Sequence, residues 1–292
     1  MGIDFKNRVA IVTGAGGGLG RQHALALAAR GAKLIINDFG AAAAEGVVAE
    51  ITAAGGTALA NQASVSDEAA VAAMVQQAMD AWGRIDILVN NAGILRDKSF
   101  AKMDLADFRA VVDVHLMGAA ICTHAVWNIM RAQKYGRVVM TTSSTGLYGN
   151  FGQANYGAAK MALVGLMQTL SIEGAKDGIR VNCLAPTAAT RMTEGLMPAA
   201  VLEQLTPESV APGLVYLVSE DAPTRTILCA GAGTFERAYV TLTSGVHLGL
   251  HADTPEQVAA HFAAISDRSG EIVPESGSAQ GSNEVGKALA AR

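Results

Sequence analysis

VAIVTGAGGGLGRQHALALAARGAKLIIND, residues 9–38, decides the fold. Val9 to Val12 is a short apolar run of the kind that forms a strand covered on both faces. Thr13 opens the glycine cluster GAGGGLG, and Leu19 to Ala29 follows with helical spacing until Gly31 ends it. Lys33 to Asn37 is a second apolar run, and it stops at Asp38. Strand, glycine turn, helix, strand and acid make a βαβ unit. Gly14, Gly18 and Gly20 leave the backbone free to turn sharply and to approach a pyrophosphate. The helix start at Leu19 offers N–H groups and the positive end of a dipole. Asp38 is placed to accept hydrogen bonds from ribose hydroxyls. A glycine cluster alone is as readily a tight strand-to-helix turn; the acid after the second strand favours a dinucleotide.

The alternation continues along the chain. Helices are expected over 41–54, 69–82, 104 to about 130, the Tyr156 segment to about 175, and 212–219. Asp67 and Asp104 stand where helix caps belong. Strands are expected over 57–63, 85–89, 137–142, 180–184 and 226–229. This pattern predicts an α/β, Rossmann-type, doubly wound and mainly parallel sheet of about seven strands. One domain should span 1–249, with a Thr-, Met- and Pro-rich lid at about 187–210. Residues 250–292 read as a short helix from Thr254 to about Ile265 and then a Gly/Ser-rich tail, flexible or ordered against a partner.

Composition narrows the classes. The chain has 292 residues, 50% of them hydrophobic and 16% charged, enough for one large core. A net charge of −4 gives no general attraction to nucleic acid or anionic membranes. Cys122, Cys183 and Cys229 lack any CxxC spacing and read as buried thiols in a reducing compartment. MGIDFKNRVAIVTG is no secretory start, so a cytoplasmic location is expected. No histidine pattern suggests a metal, and no apolar run reads as a membrane span.

The chemistry is concentrated in YGRVVMTTSSTGLYGNFGQANYGAAK, residues 135–160. A buried strand ends at Thr141-Thr142 and breaks at Ser143. Tyr156 and Lys160, four residues apart in an Ala-rich helix, share one face. An ammonium beside a phenol should pull the tyrosine pKa below about 10, making it a proton donor and acceptor near neutral pH. Ser143 can reach the same reacting oxygen if its loop folds back over the helix.

Together with the glycine turn, this segment resembles the short-chain dehydrogenase/reductase family over roughly residues 5–235. The resemblance implies that Ser143, Tyr156 and Lys160 carry catalysis, with Lys160 also binding the nicotinamide ribose. NNAG at 90–93 matches the family literally, implying cofactor contacts at Asn91, Ala92 and Gly93, with Asn90 nearer the cofactor; Asn91 alternatively serves structure alone, satisfying backbone groups at the strand end. The adenine contact is implied at Ser64-Val65, where the family often has Asp-Val. His115, within VHLMG, stands where the family usually has the asparagine that orders a relay water. It either replaces that asparagine or is an ordinary helix histidine. GILRDKSF, VHLMG and RMTEGLMP narrow the resemblance to one branch, the (3R)-hydroxyacyl-CoA dehydrogenase modules of type 2 peroxisomal multifunctional enzymes. A free-standing version of that module is implied, with an acyl-CoA or other hydroxy substrate and a homodimeric or homotetrameric state. Arg96, Lys98 and Lys102 could meet CoA phosphates or form a solvated basic loop. NAD is expected over NADP, since Asp38 would repel a 2′-phosphate and only Arg21 offers a cation near the loop. The rivals are a 17β-hydroxysteroid or other secondary-alcohol dehydrogenase, and a non-catalytic NAD-binding sensor or scaffold.

Overall fold

The computed structural model describes residues 2–189 and 199–291. Its first elements are β1 (Val9–Thr13), α1 (Gly18–Ala28), β2 (Lys33–Asn37), α2 (Ala41–Ala53), β3 (Thr57–Asn61), α3 (Glu68–Trp82) and β4 (Ile87–Asn90). Then come α4 (Leu105–Val112), α5 (Gly118–Gln133), β5 (Gly136–Thr141), α6 (Ser144–Tyr148), α7 (Ala154–Gly174) and β6 (Ile179–Pro186). The last elements of the sheet unit are α8 (Ala199–Leu202), α9 (Ala211–Leu217), β7 (Ile227–Gly231) and β8 (Thr234–Ala238).

The strands form one eight-stranded sheet in the order β3-β2-β1-β4-β5-β6-β7-β8, parallel from β3 through β7. β1, β4 and β5 are buried at every position, as strands covered by helices on both faces must be. The strand order reverses between β1 and β4, which opens a crevice at their carboxyl ends. Both capping aspartates act as expected. Asp67 accepts the Ala70 N–H at 3.0 Å, and Asp104 accepts that of Ala106 at 2.8 Å.

Four expectations need correction. The sheet has eight strands, not about seven. The extra strand is β8, returned on β7 by a two-residue turn at Ala232-Gly233 with φ of 49° and 73°. Its residues are mostly exposed, so no buried face marked it. The helix expected from Asp104 to about Met130 is interrupted by a π-helical turn at Asp113–Met117. The whole run Leu105–Gln133 is also long and apolar enough to cross a membrane, by length and composition, where no such run was expected. In the fold it lies on β4, β5, α3 and α7.

The fourth correction concerns the C-terminal region. The sheet unit closes at Arg237, before the expected boundary at 249, and Ala238–Arg292 is a second compact unit. That unit contains α10 (Thr254–Ala260), α11 (Phe262–Ile265) and α12 (Ser278–Ala290). The expected helix is therefore broken at His261, and part of the expected tail is helical. Gln280 bonds Glu284 across one turn of α12 at 2.8 Å, a local support the Gly/Ser content concealed.

Candidate active site

The crevice is built by close approach of two strand ends. The Thr13 hydroxyl accepts the N–H groups of Asn91 and Ala92 at 3.0 and 3.1 Å. Asn91 donates from Nδ2 to the carbonyls of Thr13 and Gly14 at 3.1 and 3.0 Å. A Cβ on Gly14 would lie 2.7 Å from the Ala92 Cα, and one on Gly20 would lie 2.2 Å from the Gly14 carbonyl oxygen. These glycines are thus required by the chain's own packing as well as by any ligand. Asp38 holds the loop from the other side, accepting the Gly16 and Gly40 N–H groups at 2.9 Å each. A Cβ on Gly16 would come within 2.8 Å of that carboxylate. Sequence reasoning missed Gly16; its only signal was being a further glycine in the cluster.

From this loop an open cleft of about 660 Å³ runs to Ser143, Tyr156 and Lys160, lined on the way by Asp38, Asn91 and Gly93. Gly14, Gly18, Leu19 and Gly20 also border it. The expected order of the two asparagines is reversed. Asn91 faces the cleft, whereas Asn90 is buried and donates to the Thr123 hydroxyl at 3.0 Å. Val65 does not line the cleft but packs on Gly118, whose added Cβ would lie 2.6 Å from it. Ser64 pairs with the Ser66 hydroxyl at 2.9 Å.

The residues expected to carry catalysis converge from three elements. Ser143 ends the β5 segment and accepts the Thr145 N–H at 3.2 Å. Gly146 lets α6 fold onto α7, since a Cβ there would sit 2.7 Å from the Lys160 Cβ. The Thr142 hydroxyl donates to the Lys160 carbonyl at 2.6 Å and fixes the same junction. This brings the Ser143 hydroxyl to the side of the Tyr156 phenol where it favours the ionised form. The π-helical turn presents His115, whose ring meets the Tyr156 ring edge-on at 5.2 Å. An added Cβ on Gly93 would lie 2.2 Å from His115 Cε1, so that glycine makes room for the imidazole. Such π-turns concentrate at functional sites.

The electrostatics differ from expectation. Burial raises the Tyr156 pKa above its ordinary value, opposed by the Ser143 hydrogen bond and assisted by the negative charge of Asp97. Lys160 stands beside the ring. That lysine is itself only 3% exposed, and burial pulls its own pKa down to about 7, against a smaller upward effect of Cys183. Its Nζ donates to the Thr141 carbonyl at 2.6 Å and stands 5.4 Å from the Tyr156 ring centre. Burial is the largest cause of the shift in both groups. Burial, with help from the Lys160 charge, also takes His115 to about 3 against the Ile94 hydrogen bond, so the imidazole is neutral. His115 Nε2 lies 2.8 Å from the Ile94 carbonyl oxygen, while Nδ1 has no partner. Asn90 Oδ1 is likewise buried without a partner. Both residues border an interior void of about 10 Å³ that Lys160 also lines, close to the room one water needs.

Beyond Tyr156 the cleft is walled by Leu95, Leu202 and Leu205. Leu202 belongs to the expected lid; Arg191, Met192, Leu196 and Met197 lie outside the described residues. Sequence reasoning missed Leu95 and Leu205, whose only signal was apolarity beside a strand end or Pro207. Arg96 and Lys98 each stand 3.6 Å from Asp107, so neither cation is uncommitted.

The sequence profile described as short chain dehydrogenase matches residues 8–200. The chain belongs to the short-chain dehydrogenase/reductase family, and it is an oxidoreductase. It is 46% identical to peroxisomal multifunctional enzyme A of Dictyostelium discoideum, over 95% of this chain and 64% of that protein. It is 47% identical to a putative short-chain type dehydrogenase/reductase of Mycobacterium tuberculosis, over 91% of this chain and 96% of that one. The solved full-length peroxisomal multifunctional enzyme type 2 of Drosophila melanogaster superposes with a TM-score of 0.84 at 38% identity, over 99% of this chain and 50% of that one. The chain thus spans less than two thirds of the length of these multifunctional relatives. Within the family, its relationship is to their dehydrogenase module.

Proposed function

We propose that this short-chain dehydrogenase oxidises a (3R)-3-hydroxyacyl-CoA to the 3-oxoacyl-CoA with NAD. The observation that carries the reading is the continuous cleft from Asp38 to Ser143 and Tyr156, extended by apolar walls at Leu95, Leu202 and Leu205. An adenine ribose fits at Asp38, because an ionised carboxylate has about four acceptor positions and the backbone takes two. Arg21 is engaged with Glu50 through two hydrogen bonds, which leaves no free cation there for a 2′-phosphate among the described residues. The glycine cradle and the Asn91 face suit the remainder of the dinucleotide.

Bound NAD supplies the hydride acceptor. Ser143 holds the substrate hydroxyl, and the Tyr156 oxygen takes its proton as the phenol's own proton passes onward; in the reverse direction the phenol returns it. Lys160 orients by donating hydrogen bonds, to Thr141 and to the nicotinamide ribose. The void beside Asn90, His115 and Lys160 suits one water that would carry the proton onward, with His115 as a neutral acceptor or donor. With these groups fixed, only one face of C3 can offer its hydride while its oxygen meets Ser143 and Tyr156.

NADH formation should be measured from the 3R and 3S thioesters separately, from estradiol-type alcohols, and with NADP in place of NAD. Strong preference for 3R and for NAD is expected. Preference for 3S, or turnover of steroid alone, would defeat the substrate; equal efficiency with NADP would defeat the cofactor.

We also infer a homodimer or homotetramer in a reducing, cytoplasmic setting. Leu105, Met117, Met161 and Ile172 remain 41–59% exposed along α4, the π-turn and α7. A monomeric mass by light scattering at micromolar concentration would contradict this inference.

A further inference from the structure

On the substrate side of the cleft, the loop 94–99 lies against the stretch 149–156 that enters α7. Three hydrogen bonds join them. The Lys98 N–H donates to the Gly152 carbonyl at 2.9 Å, Asn155 Nδ2 to the Arg96 carbonyl at 2.9 Å, and Gln153 Nε2 to the Asp97 carboxylate at 2.6 Å. Asn155 is fully buried, and its Oδ1 accepts the Tyr156 N–H at 2.7 Å, so the bridge reaches the catalytic helix.

Gln153 is held from several directions. Its Oε1 accepts the Thr145 hydroxyl at 3.0 Å and Asn150 Nδ2 at 3.2 Å. A primary amide has two N–H groups and two lone pairs. Both lone pairs and one N–H are engaged, which leaves one N–H without a partner among the described residues. Gln153, Thr145 and Asn150 all line the cleft that contains Tyr156. Asp97 does not line it, but as an acceptor-only carboxylate it decides which end of the amide turns towards the loop. Its cationic neighbours do not compete, since Arg96 and Lys98 turn to Asp107 at 3.6 Å each.

We propose that Asp97 is a positioning residue of the reaction: through its carboxylate it fixes the Gln153 amide with one N–H turned to a second oxygen of the substrate. On the reading above, that oxygen is the thioester carbonyl of the 3-hydroxyacyl chain, which a plain secondary alcohol lacks. Asp97 also acts on Tyr156 by charge. The phenol is faced by Ser143 from the end of β5, by neutral His115 from the π-turn, by Lys160 on its own helix and by Asp97 from the loop. Among these, Asp97 is the anion, and its charge adds to burial in keeping the phenol protonated. Removing it makes the phenolate easier to form.

The test is a double-mutant cycle on the full chain with (3R)-3-hydroxybutyryl-CoA and NAD. Asp97→Ala and Gln153→Ala should each raise KM for the thioester about tenfold, the scale of one hydrogen bond, with KM for NAD and Tm unchanged. The double variant should be no worse than either single one. Asp97→Glu should restore the low KM. Asp97→Asn, which keeps an acceptor oxygen, should hold KM low and move the acidic limb of the kcat/KM profile to lower pH. Additive single effects, or a parental KM and pH profile in Asp97→Ala, would overturn the proposal. If the parent oxidises no thioester, the functional reading fails by itself. Non-additive effects of Asp97→Ala and Gln153→Ala on KM, measured with whichever oxygen-bearing hydroxy substrate is oxidised, then uphold the positioning role, and additive effects overturn it.

Discussion

Tyr156→Phe is expected to lower turnover on the order of 10³-fold, within the usual range for losing a positioned acid–base group. NAD binding should be almost unaffected. The substitution removes one oxygen and keeps the ring that packs edge-on against His115 at 5.2 Å. Asp38 and the glycine turn lie at the other end of the cleft and should not register the change. The Ser143 hydroxyl keeps its bond to the Thr145 N–H. Titration of the variant with NAD, beside single-turnover kinetics with substrate, separates the two effects. Near-normal turnover would remove Tyr156 from the mechanism, and lost cofactor binding would show that it supports the fold of the cleft.

Lys160→Met is expected to separate activity from stability. Activity should fall by at least about 10²-fold, since orientation of Tyr156 and of the ribose are both lost. Stability should rise at pH 6. The lysine is buried, and its pKa drops from 10.5 to about 7 in the fold, so the native state resists its charged form. A base with a folded pKa below its unfolded one carries the full penalty below pH 7, where both states are protonated. The penalty fades between pH 7 and 10.5, where only the unfolded chain still holds the proton. Every tenfold loss of proton affinity on folding is worth about 1.4 kcal/mol, which exceeds the roughly 1 kcal/mol lost with the hydrogen bond to Thr141. The Tm advantage of the variant should therefore be large at pH 6 and shrink by pH 10. An equal loss of Tm at both values would mean that packing around Lys160, not its charge, dominates. The function of this lysine is thus expected to come at a cost in stability, a common relation at active sites.

Local signals were enough for the sheet and for most of the site. Runs such as Val9 to Val12 and Val138 to Met140 are apolar at each position because a strand covered on both faces allows nothing else. Gly14 and Gly20 were legible because a side chain there would strike Ala92 or Gly14 itself. Asp38, Ser143, Tyr156 and Lys160 stood at strand ends or on one helix face, positions that periodicity alone can place. β8 escaped because its residues are mostly exposed and carry no alternation to read.

Tertiary structure alone decided everything that depends on what lies opposite a residue. No spacing rule indicates that Asn90 turns inward while Asn91 faces the cleft, because that choice belongs to Thr123 and Thr13 on other elements. The π-turn at Asp113–Met117 follows from helix packing and fits His115 against Gly93 and Tyr156. The expected fall in the Tyr156 pKa rested on one neighbour at helical spacing, whereas burial by the whole fold pushes it upward. Sequence periodicity fixes which side chains share an element's face, because it follows from backbone geometry. Solvation and long-range partners fix how those side chains ionise and point, and these exist only once the chain has folded.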